Sequence, residues 1–230
     1  MKKNDNTSSS PKGTKGLVLL VALMVHLSFP AMASELDEFD LVYVPPGIAQ
    51  LGDANGDDNE IVETRQIAAF RMMRHEVTND QFAKFVAATG HKTNPRRSGK
   101  GYVWWLKWRL IAGADWQHPQ GPQSSIDGLG SHPVVQVSAE DADAFCTYYG
   151  MRLPSDPEWE YAARGTDGRR YPWGNIAFCA AGMRQANAGK IRRCGADEAD
   201  GHMRTAPVGS YTAGRSPFGV LDMAGNVWEW

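Results

Sequence analysis

Short apolar runs broken by turn residues dominate the chain, and three stretches repeat apolar positions at helical spacing. Leu41–Val44 reads as a strand, Pro45-Pro46-Gly47 as a turn, and residues 48–51 as the resumed strand. Residues 67–76 alternate well enough for another strand. Thr78-Asn79-Asp80-Gln81 has the form of a capping box; Phe82, Phe85 and Val86 follow as an apolar stripe, and Gly90 ends the helix. Residues 132–137 (HPVVQV) suggest a buried strand. Ser138 then caps a helix running through Cys146 to Tyr149 and stopping at Gly150. A second capping box, Ser155-Asp156-Pro157-Glu158, opens a helix bearing Trp159, Tyr161 and Ala162 that stops at Gly165. Residues 91–130 carry no clear element, but Trp104, Trp105, Trp108 and Trp116 argue that the stretch packs. Beyond Gly165, turns and short strands are expected.

The first 33 residues read as a signal peptide. Lys2, Lys3, Lys12 and Lys15 precede an apolar run over residues 16–29, and Ala31-Met32-Ala33 offers a small-x-small cleavage site. The run is shorter than the ~20 residues of a comfortable span. An uncleaved anchor is the alternative; with cleavage, no membrane association is expected. The expected location is outside the cytoplasm, periplasmic or secreted, with residues 34–230 as one domain.

Hydrophobic residues make up 42% and charged residues 22% of the chain, which excludes disorder and a multi-span membrane protein. The formal net charge of −2 becomes more negative once the basic leader is removed, which excludes an electrostatic nucleic-acid footprint. The basic cluster Lys92, Arg96, Arg97 and Lys100 reads as a solvated loop, as does the acidic stretch 52–60, whose order of residues does not fit an EF-hand. Cys179 and Cys194 flank a glycine-bearing segment poor in apolar residues, where a disulfide would be useful in an oxidising compartment. Cys146 lies in an apolar helical pattern and reads as a buried thiol. The histidines show no metal-site spacing.

The motifs form an ordered series. Glu76-Val77-Thr78-Asn79 is followed by His132-Pro133-Val134-Val135-x-Val137-Ser138, with Asp141-Ala142 and Cys146 behind it. Arg152-Leu153-Pro154-Ser155-x-x-Glu158-Trp159-Glu160-Tyr161-Ala162-Ala163-Arg164-Gly165 and Tyr171-Pro172-Trp173-Gly174 come next. Thr205-Ala206-Pro207-Val208-Gly209-Ser210 and Phe218-Gly219-Val220-x-Asp222-Met223-Ala224-Gly225-Asn226-Val227-Trp228-Glu229-Trp230 complete it. In this order the chain resembles the formylglycine-generating enzyme (sulfatase-modifying factor) family from about Leu41 to Trp230.

The resemblance implies an α+β, irregular single domain, a C-type-lectin-like variant with little regular secondary structure. It also implies two structural Ca2+ sites. One would use the Asn187 side chain, the Ala188 carbonyl, Asp200 and the His202 carbonyl. The other would use Asp222, the Gly225 and Val227 carbonyls, and Glu229. Hard oxygen ligands of this mixed kind suit calcium, and burying Asp222 and Glu229 among Met223, Trp228 and Trp230 without a cation would be costly. Turn capping by Asp222 and Glu229, and a solvated face for Asp200, are the alternatives. The family's activity, oxidation of a client sulfatase cysteine to formylglycine with O2, uses Cu+ held by two cysteines further along than Trp230. Cys146, Cys179 and Cys194 do not match those positions, so no catalytic residue is assigned. The implied partner is a cysteine-bearing client protein or peptide, and a monomer is expected. Two other functions stay open: a periplasmic maturation or accessory factor, connected with siderophores or denitrification, and a lectin-like binding module using residues 91–130. An iron enzyme of the ergothioneine-synthesis type would need a companion helical domain.

Overall fold

The computed structural model describes residues 38–54, 60–105, 107–176, 185–187, 202 and 204–230. The expected signal peptide, Cys179, Cys194, Ala188 and Asp200 lie outside the described residues. Four strands open the domain: β1 (Leu41–Val44), β2 (Gly47–Leu51), β3 (Glu63–Ile67) and β4 (Phe70–Met73). They form two antiparallel pairs, β1 with β4 and β2 with β3. The single strand expected over 67–76 is thus two, broken at Ala68-Ala69, because the chain changes pairing partner there.

Helix α1 (Asn79–Thr89) begins as its sequence dictates. The Thr78 hydroxyl accepts from the Gln81 amide at 3.2 Å, and the Gln81 side chain accepts from the Thr78 amide at 2.9 Å. Gly90 ends it in the left-handed conformation, at φ 68°. Two elements in the 91–130 stretch are absent from the sequence expectation. Helix α2 (Asn94–Ser98) is capped by Thr93 and carries Arg96 and Arg97 of the basic cluster expected in a loop. Its Arg96 pairs with the buried Asp115 at 2.5 Å. A hairpin follows, formed by β5 (Lys100–Trp104) and β6 (Trp108–Ala112). Only one of the four tryptophans there enters the core: Trp116 is buried, while Trp104, Trp105 and Trp108 stand exposed.

Residues 132–137 are not a strand. Val134 donates to the Val77 carbonyl at 2.8 Å, but Gln136 turns into positive φ and breaks the run. Helix α3 (Ala139–Tyr148) is capped by Ser138 and Asp141 in reciprocal bonds. Helix α4 (Asp156–Arg164) starts where Glu158 accepts from both the amide and the hydroxyl of Ser155, each at 2.9 Å. From Gly165 onward the described chain is turns and one 3₁₀ turn, Thr212–Gly214, with no ladder strand.

Two apolar clusters hold the domain together. Val42, Val44, Ala49, Leu51 and Ile67 pack with Tyr161, Ala162, Val220 and Met223. Phe39, Phe82, Phe85, Trp116, Phe145 and Tyr149 form the second, a ring cluster between α1 and α3. The molecule is a small α+β single domain of low regular content. A groove of about 980 Å³ runs between the clusters, lined by Met73, Glu76, Cys146, Trp159, Met223 and Trp230 among others. Among the described residues, no helix is long and apolar enough to cross a membrane.

Candidate metal centre

The loop 222–229 owes its shape to residues in the left-handed region: Asp222 at φ 58°, Gly225 at 93° and Asn226 at 58°. Such values favour Gly and, next, Asn and Asp, which are the residues found. At Gly225 the requirement is also spatial, since a Cβ there would lie 2.3 Å from the Asn187 carbonyl oxygen. Asn226 donates to that same oxygen at 2.7 Å. The Asn226 Oδ1 accepts from Asn187 Nδ2 at 3.1 Å and from the Ala206 amide at 2.8 Å. Asn187 Nδ2 also donates to the Arg204 carbonyl. Asn187 and the loop 222–229 therefore share one framework, in which the amide end of Asn187 is committed.

The second site is gathered from three parts of the chain. Asp222 is buried and accepts from the Gly209 amide at 2.5 Å. Glu229 accepts from Trp159 Nε1 of α4 at 2.7 Å. Arg74, at the end of β4, donates to the Gly219 carbonyl at 3.0 Å, and its own carbonyl accepts from the Leu221 amide at 2.7 Å. Those two bonds lay Glu76 alongside the loop. Both Glu76 carboxyl oxygens are sealed from solvent with no hydrogen-bond partner.

Burial, then the nearby carboxylates of Asp222 and Glu229, push the Glu76 carboxyl far above the usual range, and Asn226 offsets this only slightly. Glu229 stands exposed, with its carboxyl held by the Trp159 ring nitrogen. Surrounding protein raises its carboxyl to about 7 against the opposing Trp159 bond, with a further push from the Asp222 carboxylate. A concentration of carboxylates that excludes solvent is the environment a hard divalent cation would relieve. Among the described residues, no three His, Cys, Asp or Glu side chains converge tightly enough to hold an ion alone. A calcium shell of the expected type draws on two carboxylates and completes itself with loop carbonyls, so the residues present fit Ca2+.

The structure corrects the expected surroundings of this loop. Met223 is buried, but Trp228 is 89% and Trp230 59% exposed. Trp228 stacks edge-on against Trp108 of the hairpin at 6.0 Å, and Trp230 Nε1 donates to the Val137 carbonyl at 3.1 Å. At the first site only Asn187 and His202 are described. The His202 ring lies 6.4 Å from that of His132 and 6.5 Å from that of Tyr211. Residue reading passed over Glu76, Trp159 and Gly209. Glu76 stood in a recognised motif, but its opposition to residue 222 is a tertiary fact.

Copper(I) is a different case. Cys146 is the one cysteine among the described residues, and it lies partly buried on the groove wall. Burial, with a smaller contribution from Asp143, pushes its thiol up to about 11. A soft-metal site needs thiolates, so Cys146 and its neighbours do not fit Cu+.

Fold and site together define a loop-rich α+β domain whose C-terminal turn concentrates carboxylate and carbonyl oxygens. Residues 29–230 match the family described as sulfatase-modifying factor enzyme 1-like domain. The formylglycine-generating enzyme of Streptomyces coelicolor is 40% identical over 217 residues, spanning 82% of this chain and 67% of that protein. The inactive C-alpha-formylglycine-generating enzyme 2 of Bos taurus is 32% identical over 217 residues, spanning 83% and 69%. The structure of PvdO from Pseudomonas aeruginosa superposes with a TM-score of 0.60 at 25% identity, covering 83% of this chain and 69% of that one. The chain belongs to the sulfatase-modifying factor family.

Proposed function

We propose that this protein is exported and acts on a cysteine of a client protein, a sulfatase being the first candidate, converting it to formylglycine with O2. The observation that supports this reading is 40% identity to a formylglycine-generating enzyme across 82% of the chain. Calcium at the loop 222–229 would offset the charge of Asp222 and Glu229 and join the loop to α4 through Trp159. Its role is structural. The described residues supply no copper ligands, so no chemical step is derived from them.

The test is incubation of the purified protein with a cysteine-bearing sulfatase peptide, copper(I), O2 and a thiol reductant. The expected outcome is an aldehyde trapped by a hydrazide probe and a peptide mass lower by the exchange of one sulfur and two hydrogens for one oxygen. No aldehyde, with the protein folded and calcium-loaded, would overturn the catalytic reading. A second reading, a non-oxidising maturation factor, draws support from the misfit of Cys146 to copper and from the likeness to an inactive relative. Capture of one specific exported protein, without any aldehyde formed, would favour it.

A further inference from the structure

We propose that the outer face of the β5–β6 hairpin is a membrane-docking surface, its aromatic side chains seated among the headgroups of an anionic lipid bilayer and its flanking basic side chains on the lipid phosphates. The ladder pairs Tyr102 with Leu110 and Trp104 with Trp108, and alternation along each strand puts all four on one face. That face is open: Tyr102 is 62%, Trp104 59%, Trp108 51% and Leu110 46% exposed. Trp105, at the turn, is exposed as well. The opposite face carries the buried Gly101 and Val103, and Gln136 secures the first strand by donating to the Tyr102 carbonyl at 2.8 Å. Contiguous apolar faces of this kind mark interaction surfaces in soluble proteins. This one is also preformed. Trp104 meets Trp108 edge-on at 5.3 Å, and Trp108 meets Trp228 in the same way, so docking has little side-chain freedom to remove.

Charge identifies the occupant. Residues 91–114 contain Lys92, Arg96, Arg97, Lys100, Lys107 and Arg109 and no Asp or Glu, in a chain whose acidic residues outnumber its Lys and Arg by 26 to 24. Arg96 is taken by Asp115, and Arg97 by the Lys92 carbonyl and the Asn94 side chain. Lys100, Lys107 and Arg109 are exposed and make no ion pair among the described residues. Positive charge around Trp and Tyr suits the bilayer interface, where indole and phenol rings sit at headgroup level and Lys and Arg meet anionic lipid. A nucleic acid or a sugar would stack on open ring faces, but the edge-on contacts at Trp108 already cover such faces. Partition among headgroups needs no free ring face, and it gives Leu110 a place. Docking of this kind is peripheral and requires no spanning segment.

The test compares the full chain with a Trp104→Ser/Trp108→Ser variant, with a Lys100→Gln/Lys107→Gln/Arg109→Gln variant, and with Arg65→Gln as a basic-surface control on β3. Each is titrated with vesicles of phosphatidylcholine, alone or mixed equally with phosphatidylglycerol, that carry a brominated lipid to quench tryptophan. No tryptophan precedes Trp104, so quenching reports the folded domain and not the leader. Wild type and Arg65→Gln are expected to be quenched by the mixed vesicles, less so as salt rises to about 0.15 M. Each basic side chain removed should weaken the quenching titration about fivefold. The serine pair should weaken it at least about tenfold. No quenching of wild type by mixed vesicles, or equal titrations for wild type and the triple glutamine variant, would overturn the proposal. So would equal titrations with neutral and mixed vesicles. A concentration-dependent dimer in sedimentation velocity that the serine pair abolishes would overturn it in favour of a second copy, and tighter binding to single-stranded nucleic acid than to vesicles would do so in favour of that ligand. If the serine pair does not fold, Trp105→Ser serves in its place, with weaker quenching expected and unchanged quenching contrary.

Discussion

Gly47 sits beneath the Tyr161 hydroxyl, and a Cβ placed there would lie 2.2 Å from that oxygen. Tyr161 is nearly fully buried and donates to the Pro45 carbonyl at 3.3 Å, so it has no room to retreat. Gly47→Ala is therefore expected to lower stability by about 1–3 kcal/mol, the usual scale of overpacking, as read from denaturant unfolding. Gly225→Ala should cost a similar amount. It forces a side chain into the Asn187 carbonyl at positive φ and should also reduce any calcium-dependent gain in melting temperature. At Cys146, the raised thiol should make alkylation by iodoacetamide near pH 8 much slower than for a free cysteine in the same buffer. The glycine roles were not legible in advance. Pro-Pro-Gly announces a turn, but not which distant ring will lie across it.

Helix starts were the most legible elements, because a capping box is a local arrangement and needs no tertiary partner. Thr78 with Gln81, and Ser155 with Glu158, form as their spacing implies, and Ser138 caps α3 in reciprocal bonds with Asp141. Asp141 does more than cap. Fully buried, it also accepts from the Asn94 amide at 2.9 Å and bonds the His91 ring at 2.8 Å, joining α3 to the start of α2. In α4 the bidentate Arg152 pair, then the Ser155 bonds, hold the Glu158 carboxyl down at about 2 against burial. Its ordinary value is 4.5, so this stabilisation is full above about pH 4.5 and is lost as pH falls toward 2. Glu158→Gln should flatten the acid side of the stability profile over that window. The hairpin β5–β6 was harder to see. Its two strands hold Gly, Lys, Arg and exposed aromatics, and residues on both of its faces meet water, so no clean alternation marked it. Residues 132–137 erred the other way. Apolar enough for a strand, they are diverted by Gln136, whose amide donates to the Tyr102 and Pro119 carbonyls.

At the scale of the molecule, calcium is expected to act by mass action on the folded state. Dialysis against a chelator should lower the melting temperature, and added calcium should restore it with a concentration-dependent midpoint. The architecture as a whole could be inferred because the motifs occur in family order, and the many turns and rings agreed with an irregular domain. The opposition of Glu76 to the loop 222–229 could not, since it depends on Arg74 meeting residues 219–221 across the entire fold.

That last contact joins residues 145 positions apart. Links of such span form late, because a long loop must close before they contribute. A ribosome or export channel releasing the chain from its N-terminus would deliver β1–β4 and α1 well before their counterpart. For that interval Glu76 would face water and remain comfortably ionised. Only the arrival of residues 219–229 would enclose it, making that enclosure a closing event in folding and not a seed for it.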